Sequence, residues 1–380
     1  MCIRDITYTG ATTVSAGMLI INANQSGSGA VTVTDTGIIK MSSMKTFSPT
    51  IDMIVGAGGA WRLDGTSQTV NTLNGDGSIE NAWAHAGTDT LTVSGGGMFS
   101  GTISGGDGST VQAIALAVSG GTLTLSGAGA NSYAGDTTVN GGVLLLSKAA
   151  SDGAIAAGNI IINSGATLRL GASSQISNSI TSFTINNGGT FDLKQYIEGI
   201  SPAVTMHGGT ITGTTDGFFI AYNGYTGDGI NTISKRIAVR AANPNSGRFN
   251  ITGGATTVSG AIYSDNSTVQ GITKSGSGTL ILSGANTYTG ATTISAGALT
   301  WGVNNAFAVT DFSVGNATLN LATYTNKPVG TLDVTSTAFI NLGVGAKLSF
   351  ADSSAIDWAG GTIDIMGTFV SGSSLRFGTT

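Results

Sequence analysis

"GSGTLILSGANTYTGATTISAGALT" (residues 276–300) holds one tyrosine, no charged residue and no histidine, yet it divides into two matched halves, each an alternating apolar run entered through glycine. A second version, "SGGTLTLSGAGANSYAGDTTVNGGVLLLS", fills residues 119–147. A third, "TYTGATTVSAGMLII", fills residues 7–21 and lacks the front half. With almost no reactive side chains in the stretch, its recurrence, rather than any single residue, carries the information.

Working outward, the same glycine-led strand recurs along the chain: "GGAWRLDG" at Gly58, "GGTLTLSG" at Gly120, "SGATLRLG" at Ser164, "GGTFDLK" at Gly188, "GNATLNLA" at Gly315 and "GGTIDIMG" at Gly360. The glycine nearest each strand, as at Gly121, Gly142, Gly165, Gly189 and Gly209, returns at the ~20–24-residue interval of solenoid coils. Within a run the apolar residues alternate, as in Leu123 and Leu125, Leu168 and Leu170, Phe191 and Leu193, Ile363 and Ile365. That period of two predicts strands with one dry face. Thr122, Thr124, Arg169, Asp192 and Asp364 fall on the other face and are expected to meet water. The chain therefore reads as all-β, a parallel β-helix (solenoid) of ~20–24 residues per coil. Residues 1–380 are expected to form a single continuous solenoid with both ends cut from a longer protein, because the chain starts and stops partway through a repeat.

One coil buries too little to offset the entropy of ordering it, so stability belongs to the array. Some 15 to 17 coils at ~4.8 Å would make a rod roughly 70–80 Å long. Asn140, Asn163 and Asn186 recur just before the turn of successive coils. Stacking would place their amides in a hydrogen-bonded ladder; the alternative is that asparagine simply tolerates turn backbone.

Composition narrows the functional classes. Glycine is 60 of 380 residues, proline 4, hydrophobic residues 40% and charged residues 9%, which is too apolar for disorder and too poor in proline for collagen. The net charge of −5, with basic residues scattered, provides no field for nucleic acid. No apolar run reaches the ~18 residues of a membrane span. Cys2 is the only cysteine, so no internal disulfide forms.

The stretch 276–300 closely resembles the autotransporter-associated beta strand repeat, also called the passenger-associated transport repeat, whose G-x-G-T-L-x-L-x-G-x-N-T-Y-T-G-x-T-x-I-x-x-G-x-L pattern it meets almost residue for residue. The copy at 119–147 departs at Ser132-Tyr133-Ala134, and residues 61–81 are similar to the companion coil found between such repeats. The resemblance implies a right-handed parallel β-helix, of the passenger type, in a bacterial protein that is secreted or displayed on the cell surface at the outer membrane. The closing residues are similar to the last coils of exoproteins with a PEP-CTERM-type sorting signal. A C-terminal barrel or a sorting tail would complete the protein. Surface glycans or other cell-surface proteins are the expected partners.

Chemistry has one place to gather. Asp216, Asp228, Lys235, Arg236 and Arg240 accompany Phe218, Phe219, Tyr222 and Tyr225 within residues 215–240. A polysaccharide lyase or glycan-binding β-helix would use carboxylates for calcium, a basic residue as proton acceptor and aromatics against sugar rings. The competing reading is a long loop with solvated charges, favoured because a catalytic set should draw carboxylates from several adjacent coils. "NGDG" at Asn74 and "GGDG" at Gly105 resemble calcium-binding repeats but lack tandem continuation, so turn chemistry accounts for them better. His85 and His207 each lack a second ligand at metal spacing, and His207 takes the ladder position as a structural residue. Tyr8, Tyr133 and Tyr288 recur at one repeat position and read as packing plugs at a coil corner. The sequence thus predicts a structural or adhesive solenoid with no catalytic, cofactor-binding or metal-binding residues, no cofactor and no enzymatic activity.

Overall fold

The computed structural model describes residues 2–3, 10–42, 44–81, 87–105, 113–265, 269–370 and 374–378. Among them there is no helix, and the strand ladders run parallel. The strands wind into a parallel β-solenoid of about 15 turns, as the glycine spacing predicts. The chain divides into two compact units, Met1–Glu198 and Gly199–Thr380.

In the first unit, the strands Thr122–Leu125, Val143–Leu146, Thr167–Leu170 and Thr190–Asp192 stack so that Leu123, Leu144, Leu168 and Phe191 pair in register. All four side chains are fully buried. A second column runs through Val118, Val139, Ile162 and Ile185, also fully buried. Alternation along each strand thus becomes columns along the solenoid, and the dry interior is shared between neighbours. Turns between strands require glycine where coils touch. At Gly142, with φ +67°, an added Cβ would lie 2.2 Å from the Gly121 carbonyl oxygen of the preceding coil, a contact that no L side chain tolerates.

The amide ladder forms. Asn163 Nδ2 donates to Asn140 Oδ1 at 2.7 Å, and Asn186 Nδ2 donates to Asn163 Oδ1 at 2.6 Å. A second, half-buried ladder joins Asp136, Asn159 and Ser182.

In the second unit, one interior column reads Val204, Tyr225, Phe249, Lys274, Ile294, Val314 and Val334. The Tyr225 and Phe249 rings stack at 4.9 Å with 5° between planes. Residues Thr292–Trp301 form one strand of 10 residues rather than two strands separated by a turn. The strand bends at Gly297, with φ +71°.

Two expectations fail. Asp192 is buried rather than solvated, because Arg169 and Lys194 fold over its carboxylate at 2.9 and 3.3 Å. Burial pushes this carboxyl up, but hydrogen bonds from the Lys194 amide, Arg169 and the Lys194 side chain outweigh it and hold the group below the usual carboxylate range. Ile365 is 42% exposed rather than interior. Its strand Thr362–Gly367 pairs with Thr337–Leu342 on one edge, and among the described residues no strand covers the other.

Candidate functional site

The residues that the sequence groups at 216–240 separate in space. Strands Phe219–Ala221, Ile237–Val239 and Ile262–Ser264 stack in parallel, with Phe219 opposite Ile237 and Ile237 opposite Ile262, all three fully buried. Phe219 and Tyr225 are therefore core residues and not sugar platforms. Burial also raises the Tyr225 phenol far above its ordinary value. Lys235 is fully buried, and its ammonium donates to the carbonyl oxygens of Thr214 at 3.2 Å and Asp216 at 2.5 Å. It cannot serve as an exposed base, because the connection that follows the strand Ile230–Ile233 encloses it and these carbonyls hold its ammonium. The Asp216 residue is exposed, while Asp228 Oδ1 lies 2.8 Å from His207 Nδ1 on an exposed face.

What remains on the surface is a cluster that the sequence window only half contains. Ala238 pairs with Tyr263, so Tyr263 sits on the outward face beside the ends of the Ile237 strand. The Arg236 guanidinium lies 4.5 Å over the Tyr263 ring, and that of Arg240 lies 5.4 Å from the Phe218 ring. Phe218 meets Tyr263 edge-on at 6.0 Å. Arg240 is anchored to Asp265 at 2.5 Å, whereas Arg236 has no carboxylate partner among the described residues. Partial burial raises the Tyr263 phenol, opposed by the charges of Arg236 and Arg240 and reinforced by Asp265. Tyr263 escaped the sequence reading because it arrives one coil later.

The recurring corners have a different geometry. Tyr133 is fully buried with its hydroxyl 2.8 Å from Thr137 Oγ1, and Tyr288 is equally enclosed, 2.7 Å from Thr292 Oγ1. Two residues before each tyrosine lies an asparagine that joins three coils. Asn131 Oδ1 accepts from the Ile103 amide at 3.0 Å, and its Nδ2 donates to the Ala154 carbonyl at 2.8 Å. Asn286 Oδ1 accepts from the Ile262 amide at 2.8 Å, and its Nδ2 donates to the Ala306 carbonyl at 2.5 Å. Lys274 completes the last corner. Its Nζ donates to the carbonyls of Ser275, Gly276 and Ala296 at 2.8, 2.7 and 3.1 Å. A Cβ at Gly297 would fall 2.4 Å from the Gly276 oxygen and 2.8 Å from that ammonium, so glycine makes room for the plug.

Residues 7–21, 119–146 and 272–300 match the family model described as the passenger-associated-transport-repeat. The chain carries three passenger-associated transport repeats. No curated protein and no solved structure matches the chain. The second and third repeats share the asparagine staple and the tyrosine–threonine pair, which bears out the reading of Tyr133 and Tyr288 as plugs. In the first repeat, Tyr8 lies outside the described residues, as does His85 elsewhere in the chain; its strand Thr12–Ile21 pairs with Val31–Met41.

The third repeat begins at Ile272, ahead of the stretch that sequence inspection singles out, and so takes in Lys274. Lysines at interior positions are the feature that sequence reasoning missed. Lys148 is as buried as Lys235 and Lys274, and its Nζ donates to the Gly101 carbonyl. Burial lowers both Lys148 and Lys274 to about 8. A signal existed in the alternation itself, since Lys148 follows Leu144 and Leu146, and Lys274 follows Ile272, at steps of two. The "NGDG" turn serves the stack, with Asn74 Oδ1 accepting from the Met98 amide of the next coil at 3.0 Å.

Proposed function

We propose that this chain is a structural and adhesive passenger-type β-solenoid of a bacterial protein that is secreted or displayed at the cell surface, and that it catalyses no reaction. The observation that carries the reading is where the repeat's polar atoms go. Asn131, Asn286, Tyr133, Tyr288 and Lys274 all turn inward to bond the chain's own backbone or hydroxyls, leaving them nothing to offer a substrate. Building length from a side-chain-poor coil suits a scaffold that holds its outward threonines, serines and asparagines in rows. Surface glycans or other cell-surface proteins are the partners such rows would meet.

The lyase alternative loses its most plausible base, because Lys235 is enclosed and engaged. Two measurements test the proposal. Incubation with a panel of acidic polysaccharides and calcium should yield no ultraviolet-absorbing unsaturated product. Protease shaving of intact cells producing the native protein should release peptides from residues 119–146. Calcium-dependent cleavage that disappears in Lys235→Ala, or protection of those peptides until the cells are lysed, would overturn it.

A further inference from the structure

The cluster around Tyr263 brings two guanidiniums and two aromatic rings together on the second unit's surface. We propose that Arg236, Arg240, Tyr263 and Phe218 form a binding site for an acidic glycan, a polysaccharide bearing carboxylate or sulfate groups. The inference deepens the surface-binding part of the proposed function and rests on it.

Four observations converge. Arg236 is positioned by its stacking on Tyr263 at 4.5 Å, yet has no carboxylate partner among the described residues. Its guanidinium is thus oriented with donors uncommitted to any anion, the arrangement that recognises a planar carboxylate or a sulfate through paired hydrogen bonds. Arg240 adds a second cation, fixed by Asp265 and by the Phe218 ring at 5.4 Å. Two guanidiniums against one carboxylate leave the cluster locally positive on a chain of net charge −5. The half-exposed edges of Phe218 and Tyr263 then offer the apolar contact that a pyranose ring presents on its C–H face.

The geometry favours a polymer over a small anion. The strands beneath the cluster are successive coils of a parallel ladder, so a ligand lying along the axis meets a new rung every ~4.8 Å, a step comparable with one sugar ring. Weak contacts repeated along such a chain reinforce one another. Lys235 stays enclosed below the surface, so the site binds and does not cleave.

Affinity electrophoresis of the purified chain in gels containing polygalacturonate, chondroitin sulfate, neutral dextran or polyglutamate tests this at physiological salt. Retardation by one or both acidic polysaccharides, with none by dextran, is expected; the polygalacturonate and sulfate lanes distinguish carboxylate from sulfate recognition. Arg236→Gln should weaken binding about 10-fold or more, Arg236→Lys should restore it only in part, and Arg62→Gln in the other unit should leave it unchanged. Circular dichroism of each variant verifies the fold. Equal retardation of wild type and Arg236→Gln, no retardation by either acidic polysaccharide, or stronger retardation by polyglutamate would overturn the assignment. Because the assay uses purified protein, its failure leaves the surface-display reading to be judged by protease shaving alone.

Discussion

Lys274 gives the sharpest test of how the interior is held. It occupies an apolar column between Phe249 and Ile294, with its ammonium capped by three carbonyls. Burial lowers its pKa from 10.5 to about 8. Between those two values the unfolded chain binds more protons than the folded one, so stability rises with pH across this window. Below about pH 8 both states carry the charge and the penalty is constant; above 10.5 both are neutral. The full shift would correspond to ~3.4 kcal/mol. Water access around the head group and relaxation of its carbonyl partners reduce this to about 1–2 kcal/mol. Lys274→Met keeps the length of the side chain and removes the titration. At pH 7 the variant should melt close to wild type, since relief of a buried charge offsets the loss of three hydrogen bonds. At pH 9.5 wild type should gain on the variant by a few degrees, at about 2–4 °C per kcal/mol for units of this size. Thermal melts followed by far-ultraviolet circular dichroism at both values measure the difference. If wild type and Lys274→Met shift in parallel between pH 7 and 9.5, the ammonium is not buried as described and the argument fails.

Two further outcomes follow from the same interior. Asn131→Ala, which strips a buried amide bonding to the coil on either side, should cost about 2–3 kcal/mol, whereas Asn163→Ala on the exposed ladder should cost no more than about 1 kcal/mol; urea midpoints that rank the two the other way would refute the distinction between staple and ladder. Brief acetylation of the native protein should modify the exposed Lys327 and Lys347 while sparing Lys148, Lys235 and Lys274, and mass spectrometry showing equal modification of all five would mean that the interior opens readily.

The architecture was legible because it depends on two short-range regularities, glycine at the turn and alternation along the strand. Leu123, Leu168 and Phe191 lie in register where those regularities place them. The ladder through Asn163 was legible for the same reason, since identical residues one coil apart must meet. What stayed hidden depended on side-chain identity overriding polarity. Lys235 is buried in the connection between the strands Ile230–Ile233 and Ile237–Val239, but its charge argued for solvent, and the carbonyls of Thr214 and Asp216 that receive its ammonium come from the preceding coil. Asp192 was misplaced for the converse reason: its outward position is correct, and Arg169 and Lys194 then cover it. The Tyr263 cluster was invisible because its members come from three coils, and a linear window registers only the first two.

The reach of Lys148 has a consequence for how such a chain can change length. Most side-chain bonds here span one coil, such as the 23 residues from Asn140 to Asn163, so excising or duplicating a whole rung would leave flanking rungs with equivalent neighbours. Lys148 instead contacts Gly101 across 47 residues, passing over the rung between. Removal of that intervening rung would strand an ammonium in an apolar interior, which makes this segment resistant to the insertions and deletions that the rest of the array can absorb.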